Sequence, residues 1–240
     1  VILTMGKQWV CLVCGYNLMG RGPTRCPFCG APRESFISAG EAGERFRVRK
    51  EPVGDGVYQL LSTPRLGLEH AAYYLERERV MIDCPSVYNE AVAEGLGGLD
   101  YILYTHPHFL GAGNLFKERF GCELWLHALD AKNSLCRGLE LNKSFLEEFE
   151  LRTAGAQHIG GHTPGFCVYL YGTSLFVCDY FFQGRPWTLN PYGPREETRA
   201  GAKKILQTAR KGNFRWICGF NYAMGYRDWM GGVGQIWGLE

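Results

Sequence analysis

From residue 52 onward the chain reads as short apolar runs, broken at intervals by glycine, proline and charged residues. The runs at 56–62 (GVYQLLS), 71–76 (AAYYLE) and 79–85 (RVMIDCP) are rich in β-branched and aromatic residues and bounded by turn signals, which predicts strands. Residues 86–98 (SVYNEAVAEGLGG) predict a helix closed by glycine. The next run, DYILYTH at 100–106, predicts a buried strand that ends in His106. A helix at 111–121 and a strand at 122–127 follow, and LNKSFLEEFEL at 141–151 reads as a helix or an extended turn. GFCVYLYG and SLFVCDYFF predict two strands, with Asp179 at the end of the second apolar run. Residues 194–212 predict a long amphipathic helix, with Pro194 near its start and Gly212 near its end. RWICGF supplies a last strand. Strands come first and then alternate with helices, which is the pattern of an α/β layer protein. The polar stretch 38–50 reads as a linker or an edge strand. The domain organisation expected is a small N-terminal unit at 1–40, a linker at 41–51 and a large domain at 52–240.

Composition narrows the function classes. The 240 residues are 46% hydrophobic and 21% charged, which is a folded and not a disordered composition. Lys+Arg 26 against Asp+Glu 24 gives a net charge of +2, and the two signs are interspersed. Nucleic-acid binding, which depends on concentrated positive charge, is therefore not expected. No apolar run reaches the roughly 18 residues of a membrane span. The first ten residues, VILTMGKQWV, lack a basic segment ahead of a long apolar one, so no secretory signal and a cytoplasmic location are expected. Ten cysteines are present. Cys84, Cys122, Cys136, Cys167, Cys178 and Cys218 are scattered, several within strand-like runs, and read as buried free thiols.

The other four cysteines form two C-x-x-C pairs, Cys11/Cys14 and Cys26/Cys29, separated by eleven residues. Such turns place four thiolates at the corners of a tetrahedron, which suits zinc or a single iron. Each pair is followed by a glycine, Gly15 and Gly30, which lets backbone N–H groups turn toward the sulfurs. About 35 residues cannot build an adequate core alone, so metal ligation must supply much of the folding energy here. Residues 7–38 resemble rubredoxin, and more closely the short rubredoxin-type domain of rubrerythrins. The resemblance rests on Trp9, on C-G-Y at Cys14 to Tyr16, on Gly22-Pro23, on C-P-x-C-G at Cys26 to Gly30 and on Phe36. It implies one iron that cycles between ferrous and ferric states. Zinc ribbons share C-x-x-C-G, so zinc is the alternative, and the interval between pairs is one residue shorter than the rubrerythrin type leads one to expect.

A second constellation is made of histidines. His106 and His108 flank Pro107 at a strand end, His162 lies in the glycine-rich turn HIGGHTPG, and Asp179 ends a strand. Three histidines and a carboxylate at strand ends make a candidate cation site. His127 and His158 fall off this pattern and read as structural, and His70 has no context. The late aromatics, among them Phe182, Trp187, Tyr192 and Trp229, read mainly as core, with some walling an apolar pocket beside the metal.

Residues 52–240 resemble the metallo-β-lactamase superfamily, nearest to its glyoxalase II-like and flavodiiron branches. The carrying motifs are T-H-x-H at Thr105 to His108, G-H-T-P-G at Gly161 to Gly165 and L-F-x-x-D at Leu175 to Asp179, with Asp83 as a further landmark. The resemblance implies an αββα sandwich with metals held at one edge, and it implies His106, His108, His162 and Asp179 as ligands of the first metal. Asp83 is expected to fix loops near the site rather than to bind metal. The family pattern H-x-H-x-D-H is broken, because Leu110 and Gly111 stand at the second-metal positions. Phe220, beside Asn221, takes the place of the last family histidine. A two-metal water-activating site is therefore not expected, since leucine can neither ligate nor accept a proton.

Together these features point to a redox metalloprotein. A rubredoxin-type iron moves single electrons and would exchange them with a degenerate single-metal site holding one iron or zinc. Persulfide dioxygenases of the same superfamily use the matching first-site positions for one iron. The alternatives are a single-zinc hydrolase with a structural zinc ribbon, and a non-catalytic binding or assembly factor whose metal edge holds no metal. No particular catalytic side chain is assigned. No glycine motif for nucleotide or flavin follows a strand. A small-molecule substrate or a redox partner protein is expected. A long intra-chain electron path would favour a homodimer.

Overall fold

A computed structural model describes residues 8–20 and 22–239. The N-terminal stretch read for a secretory signal lies, up to residue 7, outside the described residues. Strands β1 (Gln8–Cys11), β2 (Asn17–Met19) and β3 (Phe36–Ser38) form a small antiparallel sheet with β1 in the middle, and the two cysteine turns hang from it.

The stretch expected as a linker is instead regular structure. Helix α1 (Ala39–Arg45) begins at Ser38, whose hydroxyl accepts from the Glu41 N–H as an N-cap. Strand β4 (Arg47–Gly54) then forms the edge of the first large sheet, as the alternative edge-strand reading anticipated. Strands β5 (Val57–Thr63), β6 (Ala72–Leu75) and β7 (Val80–Ile82) continue it antiparallel, each beside its predecessor. After helix α2 (Glu90–Leu96) comes β8 (Tyr101–Leu103), and after α3 (Gly113–Phe120) comes β9 (Glu123–His127), both parallel to their neighbours. A short helix α4 (Ala128–Ala131) leads on to the last edge strand, β10 (Lys143–Phe145).

The 141–151 segment is therefore neither helix nor simple turn. It supplies β10 at the edge of one sheet and β11 (Phe149–Leu151) at the edge of the other. Phe145 and Phe149 meet edge-to-face at 4.7 Å where the chain crosses over. Pairing to β9 decides its conformation over local periodicity.

The second sheet orders β11, β12 (Ala154–His158), β13 (Cys167–Tyr171), β14 (Ser174–Cys178), β17 (Trp216–Gly219) and β18 (Ala223–Gly225). A two-stranded ribbon, β15 (Phe181–Phe182) with β16 (Thr188–Leu189), lies between β14 and the long helix α5 (Arg195–Lys211). Helix α6 (Tyr226–Val233) follows β18.

Alternation of side chains across each strand explains the layers. Tyr73, Leu75, Val80, Ile82 and Leu103 of the first sheet meet Tyr169, Phe176 and Cys218 of the second in a shared core. Their neighbours Tyr74, Met81 and Ile102 face outward against Val92 and Leu96 of α2 and Phe116 of α3. On the far side, Val168, Leu175, Val177 and Ile217 pack under Ala202, Ile205, Leu206 and Ala209 of α5 and Trp229 of α6. The arrangement is an αββα sandwich.

The ribbon is built into this body. Val10 and Ile37 belong to the same buried cluster as Met81, Tyr88 and Phe116. The Tyr16 hydroxyl donates to the Leu135 carbonyl at 2.8 Å, and Asn17 Nδ2 donates to the Ser86 carbonyl at 2.9 Å.

Candidate metal centres

In the ribbon, Cys11 and Cys29 approach Sγ to Sγ at 3.8 Å, and Cys14 and Cys26 at 3.7 Å. All four sulfurs lie within 4.8 Å of one another. A tetrahedron with metal–sulfur bonds of about 2.3 Å has edges of about 3.8 Å, so the set fits one tetrahedral metal. Gly15 and Gly30 take left-handed φ angles of 81° and 75°, and their N–H groups close the turns onto the Cys11 and Cys26 carbonyls. Hydrogen bonds among the thiols favour the thiolate at Cys11, while the same contacts and burial push the Cys14 thiol up. Cys29 reaches solvent, whereas the other three are buried.

The histidine set converges at the other end of a short contact. His106 follows β8, and His108 sits in a 3-10 turn, Pro107–Phe109, just beyond it. His162 comes from the loop after β12, and Asp179 follows β14. His162 Nε2 lies 3.1 Å from His108 Nδ1 and 3.7 Å from Asp179 Oδ2, and His106 Nε2 lies 3.5 Å from the same oxygen. All four residues place a donor atom within 4.8 Å of one another. His106 Nε2 and Asp179 Oδ1 are buried with no hydrogen-bond partner, which is how ligand atoms look without their ion. The donor set fits a single cation.

Supporting residues fix this geometry. The Thr105 backbone N–H and hydroxyl both donate to Asp83, and the same hydroxyl lies 2.9 Å from His106 Nδ1. That orients the imidazole so that Nε2 faces the site. Asp83 thus holds loops, as expected. Asn190, which no sequence motif marked, donates to Asp179 Oδ2 at 3.0 Å and lies 3.3 Å from His162 Nε2. Asp130 accepts from the Thr163 hydroxyl and the Gly165 N–H, fixing the His162 loop. His127 and His158 stack on each other at 4.3 Å, apart from the donor set. His70, which lacked context in the sequence, is buried beside the site, with its ring 4.3 Å from Phe109 and 6.2 Å from His106.

The second-metal positions are sealed. Leu110 is buried in the outer core, and Gly111 has φ 55° with the Cys84 carbonyl 2.3 Å from where a Cβ would stand. No side chain fits there without moving the backbone. Phe220 stacks parallel to His70 at 6.4 Å and packs edge-on to Phe182 at 5.2 Å.

Burial holds His106, His108 and His162 at about 3 and His70 likewise, so the folded state keeps all four imidazoles neutral. Neutral imidazole is the form that binds metal. In the metal-free protein these groups sit below their ordinary value of 6.5, so the unfolded chain takes up protons first. Stability is full above about 6.5 and falls as pH drops toward 3, by on the order of 1 kcal/mol per pH unit for each histidine. Asp83, raised by burial to about 7, works in the opposite sense, as do Glu69 and Asp130, whose carboxyls burial also pushes up, so the net drop is smaller than the four histidines alone would give. Urea midpoints of the metal-free protein at pH 7.5 and 5.5 should show a clear drop at the lower pH. Equal midpoints would contradict the buried neutral set.

An αββα sandwich with a tetrathiolate ribbon and a three-histidine, one-carboxylate cluster defines a metal-binding protein with two centres. Residues 9–37 match the family model for the rubrerythrin, rubredoxin-like domain, and they form that domain here. No curated protein matches the sequence. Among solved structures, the metallo-beta-lactamase from Pontibacter korlensis aligns over 75% of this chain and 94% of its own at 12% identity, TM-score 0.60. The metallo-beta-lactamase from Hirschia baltica aligns over 75% and 93% at 16% identity, TM-score 0.60. TTHA1623 in a di-iron-bound form aligns over 70% and 93% at 19% identity, TM-score 0.54. The body behind the ribbon has the metallo-β-lactamase fold. Among the described residues no helix is long and apolar enough to cross a membrane.

Proposed function

We propose that the protein is an iron-dependent oxidoreductase in which the ribbon iron exchanges single electrons with one metal held by His106, His108, His162 and Asp179. One observation carries this reading. The ring of Phe28, the residue before the ribbon ligand Cys29, lies 5.3 Å from the ring of His108. Cys29, Phe28, His108 and Asp179 also line one cavity of about 860 Å³. Both centres border one cavity within one chain, which supports exchange within the chain.

Two histidines and a carboxylate are the facial set of non-haem iron, and TTHA1623 carries iron on the same fold. Bound iron would supply one-electron chemistry beside the cavity. The chain's own residues do the rest. Thr105 and Asn190 hold His106 and Asp179 in place. Phe28, Phe109, Phe182 and Phe220 wall the cavity and limit water. Among the described residues Asp179 is the one carboxylate that lines it and no lysine or arginine does, which favours a small uncharged oxidant or substrate. Leu110 is buried where a water-orienting carboxylate would stand, which weighs against hydrolysis.

The test is rapid mixing of dithionite-reduced protein with dioxygen, peroxide or a persulfide, following the ribbon absorbance. Reoxidation should depend on metal at the histidine site. In protein loaded with both metals, Phe28→Ala should slow it roughly tenfold, because geometry-dependent steps are steep in distance. Equal reoxidation rates with and without the second metal would overturn the reading.

A further inference from the structure

Although the second-metal positions of the fold are sealed, a different donor set lies next to them. His70 in the loop before β6, Asp83 after β7 and Cys178 at the end of β14 bring an imidazole nitrogen, a carboxylate oxygen and a sulfur within 4.8 Å of one another. Cys178 Sγ is 3.2 Å from His70 Nδ1, and Asp83 Oδ2 is 3.9 Å from the same nitrogen. All three side chains are buried. We propose that His70, Asp83 and Cys178 form a further cation site, separate from the histidine site, for a borderline divalent metal such as zinc, ferrous iron or cobalt(II).

The convergence on a single nitrogen is the first argument. A proton relay through histidine uses its two ring nitrogens on opposite sides. Here the sulfur lies against Nδ1 and the carboxylate lies close to both the sulfur and the same nitrogen, so three donors of different kinds surround one point. A cation placed between them engages all three donors at once. Metal bonds of about 2.0–2.3 Å give tetrahedral edges of about 3.3–3.8 Å, and the two observed separations bracket that range. His70 Nε2 is buried with no well-formed hydrogen bond of its own.

The charge balance agrees. With metal bound, the Cys178 thiolate and the Asp83 carboxylate would carry two negative charges beside a neutral imidazole, which one divalent cation cancels inside the protein. The backbone agrees as well. Five non-glycine residues among those described have positive φ, and three of them (Asp55, Arg79 and Arg152) are exposed. The other two are Asp83 at 57° and Cys178 at 48°, both buried in this cluster. Left-handed backbone at such residues persists where the surroundings demand a particular side-chain placement. The site also has an outer shell. Thr105, which orients His106, donates to Asp83 through both its N–H and its hydroxyl, and Cys178 is chain neighbour to the ligand Asp179.

The test is titration of cobalt(II) into metal-free protein without oxygen, counting tightly bound metal per chain and following sulfur-to-cobalt absorption. The whole protein should take three equivalents, for the ribbon, the histidine site and this cluster. Cys178→Gly should take two, with a smaller sulfur-to-cobalt band. Glycine suits a φ of 48°, so this variant removes the thiolate while relieving the backbone. His70→Gln should also take two and provides the count if the glycine variant does not fold. His162→Ala should lose one equivalent and leave the band of this cluster intact. A wild-type count of two, or three equivalents in a folded Cys178→Gly or His70→Gln, would refute the site. The count is independent of turnover, so it stands or falls apart from the oxidoreductase reading.

Discussion

His162→Ala should reduce metal at the histidine site from about one per chain to near zero at micromolar protein, and leave the ribbon spectrum unchanged. His162 Nε2 is the donor nearest His108 and also faces Asp179, so its loss opens one corner of the set and removes a contact of Asn190. Structural metal sites with four donors bind with about 10–16 kcal/mol, or about 3 kcal/mol per donor, so one ligand is worth ~10²-fold or more in affinity. Asn190→Ala gives the calibration. It removes a hydrogen bond to Asp179 and no ligand, so its effect should stay within about 10–100-fold. Competitive chelator titrations of the two variants, with circular dichroism to confirm the fold, separate ligand from support. Unchanged metal content in His162→Ala would remove His162 from the set. If the oxidoreductase reading holds, oxidant-driven reoxidation of the ribbon falls in step with the lost metal.

What was legible in the sequence follows from how local each signal is. The cysteine pairs and His106/His108 are short-range motifs, and their spacing alone places donors on one turn or one strand end. Asp179 and His162 became legible through strand ends and through resemblance to a known fold. His70, Asn190 and Phe28 were not legible as site residues. Each enters through topology: His70 from a loop before β6, Asn190 from beyond the β15/β16 ribbon and Phe28 from the second cysteine turn, between β2 and β3. A lone histidine in LEHAAYYL carries no period or spacing that points to residues 36 and 108 positions further on, His106 and Cys178. The 38–50 stretch did carry a local signal, since Ser38 followed three residues later by Glu41 is a helix-start signature. The crossing at 141–151 offered no such cue, because the pairing partners of β10 and β11 lie in two different sheets.

Cys11→Ala tests whether the ribbon is an appendage or part of the body. It should release the ribbon metal and lower the thermal midpoint of the whole chain in one transition, with a loss of roughly 3 kcal/mol from the missing ligand. The reason is the shared packing. Val10 and Ile37 sit in the cluster that also holds Met81 and Phe116, and Tyr16 is tied to Leu135. Without its metal the second cysteine turn has little to order it, because the ribbon is too small to hold a core of its own. Phe28 would then leave the ring of His108, and the cavity would lose its ribbon wall. The histidine site should therefore bind metal more weakly in Cys11→Ala, though none of its ligands has changed. The sandwich itself should stay folded, since its inter-sheet core contains no ribbon residue. An unchanged midpoint and unchanged histidine-site affinity would show a ribbon that only rests on the surface. Coupled losses would show that the tetrathiolate metal shapes the second centre as well as facing it.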